Sequence, residues 1–326
     1  MRRILLPILL LTTLAQAQTA SIDDRRKSLN TLFAEYWDSA LEHSPEFASE
    51  IGDTRFSGKL TDYSPSAQNS WIAREQDYLM KLAAIDASGL PAADAKARED
   101  LLNQLTGDIE ASGSHDWETP VNEDGGVFTQ YANLPAEIPF STAKDYDNWI
   151  ARLRALSDAI DQNIANMGTG IDDHRVPPKT ALTSALEQIK QIAAAKPEES
   201  PFAAPLAHFP AAIPAAEQQR IQQETLDAIT KQVQPAYQRL VHFFEVSYLP
   251  AAGAENPASQ PDSPAFTLQS RKIQILALRD KAKEALSPKF NLSAFHDIVS
   301  SYGILPPAVL EAHVNDWIAS QPATPK

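Results

Sequence analysis

The seven histidines and 42 acidic side chains are where this sequence could do metal or acid–base chemistry, and no cysteine accompanies them. Zinc hydrolysis needs about three protein ligands and a base, and H-E-x-x-H places two imidazoles on one helix face for that purpose. The pattern is absent. His115-Asp116 and Asp172-Asp173-His174 set an imidazole beside a carboxylate. Neighbours along a chain seldom point together, so both stretches read as solvated polar loops. His43 reads as the last residue of a helix, where partial positive charge offsets the macrodipole. His208, His242, His296 and His313 flank apolar stripes and read as structural or exposed.

Nucleophile motifs are equally thin. There is no G-x-S-x-G elbow, nor an S-x-x-K in a catalytic setting. Met167-Gly168-Thr169-Gly170 lacks the following Lys-Ser/Thr of a phosphate loop and reads as a helix C-cap. Asn122-Glu123-Asp124-Gly125-Gly126 lacks the alternating oxygen ligands of a calcium loop. The pairs Tyr36/Trp37 and Tyr146/Trp149 read as core rather than as a sugar platform. No residue is assigned as catalytic, cofactor-binding or metal-ligating.

The elements that would have to position any site are helices. Leu29, Leu32, Phe33, Tyr36, Trp37, Ala40 and Leu41 recur at three- and four-residue steps, predicting a helix over about 24–43. Ser44-Pro45 and Ser64-Pro65 each offer a capping hydroxyl and a proline at the first helical position. They predict a short helix to Ile51 and a longer one to about Ile85. Pro91 opens a helix through Leu101, Leu105 and Ile109. Glycines and prolines from Ser112 to Pro139 predict one long ordered loop with at most a helical turn. Ser141 or Thr142 caps a helix with Tyr146, Trp149, Leu153, Leu156 and Ile160 inward, ended by Gly168 and Gly170. Pro177-Pro178 starts another, stopped at Lys196-Pro197. A long helix follows from Ala215, kinked at Pro235. Tyr248 to Arg271 reads as an irregular connector. Helices over about 275–286, from Asn291 to Gly303, and from Pro306-Pro307 to Ile318 complete an all-α chain with no fixed-period repeat.

Arg2-Arg3, the apolar run Ile4–Leu14 and Ala15-Gln16-Ala17 form a secretory signal with cleavage after Ala17. The expected divisions are the signal over 1–17, a helical region over 18–250, the connector over 251–271 and a second helical region over 272–326. The mature chain is expected to be periplasmic or secreted, without a membrane anchor. A formal charge of −14 opposes phosphate backbones and argues against nucleic acid as a partner.

One family resemblance spans nearly the whole mature chain. Glu42-His43-Ser44-Pro45-Glu46-Phe47-Ala48, Gly52-Asp53-Thr54-Arg55-Phe56 and Leu60-Thr61-Asp62-Tyr63-Ser64-Pro65 carry its first part. Pro235-Ala236-Tyr237-Gln238-Arg239-Leu240 with Tyr248-Leu249-Pro250, and Phe290-Asn291-Leu292-Ser293-Ala294-Phe295-His296-Asp297, carry the rest. These stretches resemble the bacterial domain-of-unknown-function family 885. The resemblance implies a large exported helical protein similar to zincin metallopeptidases, with zinc ligands and a base in H-E-x-x-P-G-H and E-G-W-like segments. Both segments would fall where this sequence has only Gly253 to Gln269. No residue here matches a zinc ligand or the base.

The expectation is therefore an exported helical protein without catalytic activity or a cofactor of its own, acting as a scaffold or binding protein. Its rivals are a zinc-dependent hydrolase, as the resemblance implies, and a periplasmic peptide or small-molecule binder. Loss of a middle segment predicts bare apolar faces near Phe243-Phe244 and Ile273–Leu278, open to a second copy of the chain.

Overall fold

The computed structural model describes residues 20–252, 268–302 and 307–321. Among these residues every regular element is helical. The expected signal at 1–17, most of the expected connector, and Gly303 with Leu305-Pro306 lie outside the described residues.

Three helices make the first layer: α1 (Ile22–His43), α3 (Pro65–Ala83) and α4 (Ala92–Ser112), with the short α2 (Pro45–Glu50) after α1. Leu29, Leu32, Phe33 and Tyr36 of α1 pack on Tyr78 and Leu82 of α3 and Leu101 and Leu105 of α4. Ser64 caps α3 as its sequence predicts, accepting from the Ala67 amide at 3.2 Å. Ser44 stands at the N-cap of α2 but makes no capping bond through its side chain.

The largest core surrounds α6 (Ala143–Asp172), which packs on α8 (Ala215–Ala228) and α9 (Gln234–Phe243). α5 (Val127–Glu137) and α7 (Lys179–Ala194) close that core, and the three-residue α10 (Leu249–Ala251) continues beyond α9. A capping box opens α6, with Asp145 accepting from the Thr142 amide at 2.8 Å. Trp149 Nε1 donates to the Phe202 carbonyl and Tyr237 Oη to the Phe128 carbonyl. The aromatic side chains at 146, 149 and 237 are thus core, as expected.

The last helices, α11 (Leu268–Leu286), α12 (Leu292–Tyr302) and α13 (Pro307–Ser320), return to the start of the chain. Ile275, Leu278, Phe295, Val299, Leu310 and Val314 share one core with Trp37, Leu41, Phe47 and Ile51. α1 therefore buries one face against α3 and α4 and another against the last three helices.

Three expectations are corrected. Residues 112–139 hold a 3₁₀ turn (Asp116–Glu118) and the 11-residue α5 rather than one long loop. Gly125 and Gly126, at φ of 89° and 62°, make the tight entry to α5, and Pro135 lies in its last turns, where few backbone bonds depend on it. α6 runs through Gly168 and Gly170 to Asp172. Around Pro235 the rod continues through a π turn (Ile229–Val233), a second π turn (Phe244–Tyr248) and α10, so the start of the presumed connector is helical. Its end is helical too, because α11 starts at Leu268. Near the expected bare faces Phe244 and Ile275 are fully buried, whereas Phe243 is half-buried and Val246 is 60% exposed.

Candidate functional site

Among the described residues, one cluster with the donor set for a metal is closed by its own arginine, and one polar-walled cleft is open. The closed one joins the two histidine stretches. His115 Nδ1 meets Glu118 Oε1 at 2.9 Å, and a carboxylate oxygen of Asp173 comes within 4.8 Å of the ligand atoms of both. His115, Glu118 and Asp173 form the one such trio among the described residues, and its donor set suits zinc on paper. Arg175 already fills its centre. Its Nε donates to Glu118 Oε2 at 2.7 Å and its Nη2 to Asp173 Oδ2 at 2.7 Å, with Nη2 also 3.3 Å from His115 Nδ1. A metal would have to displace a guanidinium paired to two carboxylates, so the trio does not fit one. Asp116 and His174 are not in the trio, so the adjacency seen in sequence was not what brought these groups together.

The open place is a cleft of about 350 Å³ between α2, the chain at 61–63 and α5. Its walls are tied before any ligand arrives. Glu46 accepts from the Thr61 amide at 3.0 Å and the Thr61 hydroxyl at 2.6 Å. The Tyr63 amide donates to Gln162 Oε1, and Asn166 donates to the Tyr63 carbonyl. Behind them lies Arg152 of α6, 1% exposed. It donates to the carbonyls of Lys59 (2.7 Å) and Pro45 (2.8 Å) and to Ser49 Oγ (2.7 Å). One guanidinium thus holds both α2 and the chain before Thr61. Burial pulls its pKa down to about 10, and Glu46 and Glu50 act against that fall.

α5 supplies the opposite wall with Gln130, Tyr131, Asn133 and Glu137. Tyr131 is 3% exposed, and burial raises the pKa of its hydroxyl well above the usual value, with Tyr63 adding to the rise. The two phenols are neighbours, yet Tyr131 Oη has no hydrogen bond of acceptable geometry. Glu46, Glu50 and Glu137 line the cleft without a lysine or arginine among them.

The remaining histidines stay outside this cleft. His43 corrects its expected role: burial, then Arg74, brings its pKa down to about 4, so it is neutral at pH 7 and does not offset the dipole of α1. Its ring stacks on Trp71 with centroids 4.2 Å apart. His296 is half-buried against Gly52, and burial lowers its pKa. Sequence reasoning missed Arg152, although a signal existed: it falls inside the apolar stripe Trp149, Leu153, Leu156. Tyr131 was hidden by the loop reading of 112–139.

The architecture and the cleft can now be set beside known proteins. The family described as "Bacterial protein of unknown function (DUF885)" matches residues 45–266. This chain belongs to DUF885. The match includes α2, the chain at 61–63 and α5, so every residue lining the cleft except Ser44 lies within it. A crystal structure described as a "putative lipoprotein from Colwellia psychrerythraea" superposes with a TM-score of 0.66 at 16% identity, over 84% of this chain and 48% of that one. At that identity the likeness concerns the fold, and this DUF885 chain spans about half the length of the protein it matches. No curated protein matches the sequence.

Proposed function

We propose that this DUF885 chain is an exported, non-catalytic binding protein whose ligand occupies the cleft between α2 and α5. The observation that carries the reading is the tied geometry of that cleft. Its walls are fixed by Arg152, Glu46, Gln162 and Asn166 without a ligand, and preformed concave sites of roughly this size are what small-molecule binding uses. Export rests on the leader-like pattern of residues 1–17, and no described helix is long and apolar enough to cross a membrane. The absence of catalysis rests on the sequence between Gly253 and Gln269, which has neither the H-E-x-x-P-G-H nor the second glutamate of the zincin-like pattern.

The test uses the chain from Gln18 onward. A thermal-shift screen of small metabolites and short peptides should give ligands that raise the melting temperature of the wild type but not of Asn133→Trp, which fills the cleft from an exposed position on α5. Metal analysis should give far less than one zinc per chain. Stoichiometric zinc together with chelator-sensitive hydrolysis would establish the zinc-dependent hydrolase instead.

A further inference from the structure

Two of the family-like stretches meet in the fold yet line no part of the cleft. They are Gly52-Asp53-Thr54-Arg55-Phe56 after α2 and Phe290 to Asp297 running into α12. Their meeting point is the end of α2. Gly52, at φ of 88°, turns the chain so that its amide donates to the Ser49 carbonyl at 2.9 Å and the Asp53 amide to the Ala48 carbonyl at 2.7 Å. The next two carbonyls, of Glu50 and Ile51, face the last helices. Arg279 Nη1 of α11 donates to the first at 3.1 Å, and His296 of α12 meets the second. The imidazole packs so closely that a Cβ on Gly52 would run into its Cε1 and Nε2.

This ring has no good place for a second proton. His296 Nε2 is buried and makes no hydrogen bond of acceptable geometry. As a bare lone pair it can rest against Gly52, whereas as an N–H it would be a buried donor left unpaired. Burial opposes the charged ring most strongly, and Arg279 adds to that. Asp53, the Ile51 carbonyl and Asp297 act the other way. The Asp53 carboxylate is already taken, however. Its Oδ1 accepts from the Arg55 amide and Nε, and its Oδ2 from Arg55 Nε and Nη2. Those bonds fill the lone-pair sites that a carboxylate offers. Asp38 of α1, the helix also packed on α12, is bound to the same guanidinium. Asp297 is exposed, where water screens it.

We propose that the seat of His296 on Gly52 is an acid-sensitive latch between the last helices and α2, closed while the imidazole is neutral and loosened when it is protonated. α2 carries Glu46, Phe47 and Glu50 of the cleft, so the latch sets how firmly one wall of the cleft is held. The undocked ring takes its proton near the ordinary value of 6.5, and the docked ring only at lower pH. Docking is therefore complete above 6.5 and weakens as pH falls below it. The latch needs no ligand, and its test reads α2 directly.

Hydrogen exchange of the full chain, corrected for the intrinsic rate at each pH, would follow the amides of Gly52, Asp53 and α12 from about pH 7.5 to about pH 5. Every protein compared carries His43→Phe, which removes the other histidine that burial keeps neutral. Protection of these amides should fall several-fold, while α7 and α9, which belong to a different core, keep theirs. Adding His296→Phe should abolish that fall. Adding Arg55→Gln, which frees the Asp53 carboxylate, should raise the His296 midpoint in a proton NMR titration and lessen the loosening. Protection that is constant with pH, or that falls equally with His296→Phe, would overturn the latch. Should His296→Phe not fold, the titration decides: a His296 midpoint at or above the ordinary value, or one that Arg55→Gln leaves in place, overturns it as well.

Discussion

Arg152 is a full charge held in the interior by carbonyls and a hydroxyl rather than by a carboxylate. Arg152→Met keeps much of the volume and strands those three acceptors, so denaturant unfolding should show a loss of roughly 2–4 kcal/mol. Two other groups, the buried Glu75 and the half-buried His43, tie stability to pH in opposite directions. Glu75, 3% exposed, has its carboxyl pushed up to about 8 by burial and then by Asp108. The folded chain therefore holds a proton that the unfolded chain gives up near the ordinary glutamate value. Stability is complete below that value and falls as pH climbs toward 8. Glu75→Gln should raise the melting temperature by about 5 °C at pH 8 and change it little at pH 5. His43 works the other way: the unfolded imidazole takes a proton near 6.5 that the folded one refuses until about 4. Stability is lost as pH falls through that window. His43→Phe, which keeps a ring against Trp71, should move the acid-unfolding midpoint to lower pH.

At the scale of the helices, α6 decides how closely the chain can pack. A Cβ on Gly170 would sit 2.8 Å from the Glu118 carbonyl oxygen and 2.9 Å from that of Arg175, both backbone atoms that cannot swing aside. Gly170→Ala should therefore destabilise by roughly 1–3 kcal/mol, measured by thermal or denaturant unfolding. This also explains why the glycine was legible as important but not for the right reason. In sequence it looked like a terminator, whereas in the structure it is a close approach inside a helix. Helices announced by a serine-proline cap or an uninterrupted apolar stripe, such as α1 and α3, were plain from the residues. α5 was not, because Gly125, Gly126 and Pro135 crowd an 11-residue segment whose stripe of Val127, Phe128, Tyr131 and Leu134 lasts only two turns. The cleft inherits that difficulty: one wall is α5, and the others are joined by bonds such as Asn166 to Tyr63, 103 residues apart. No local pattern encodes a bond of that span.

At the scale of the molecule, the last helices cover what would otherwise be a bare apolar side of α1 and α2. A chain ended at Ala252 would expose Trp37, Leu41, Phe47 and Ile51 together. Such a truncation should bind a hydrophobic dye strongly, melt at lower temperature and self-associate in sedimentation, while the full chain should not bind the dye. The same truncation removes the bond from Arg279 Nη1 to the Glu50 carbonyl, which secures the end of α2 beside the cleft. Any ligand found for the cleft should accordingly bind the shortened protein more weakly.

The bond between Arg279 and Glu50 spans 229 residues, and the shared core around Trp37 has the same long reach. On a ribosome adding about 5–20 residues each second, α1 emerges with one side still wet for roughly ten seconds or more before its final partners are made. Nascent chains of this protein should therefore be clients of holding chaperones until synthesis is nearly finished, whatever the mature molecule goes on to bind.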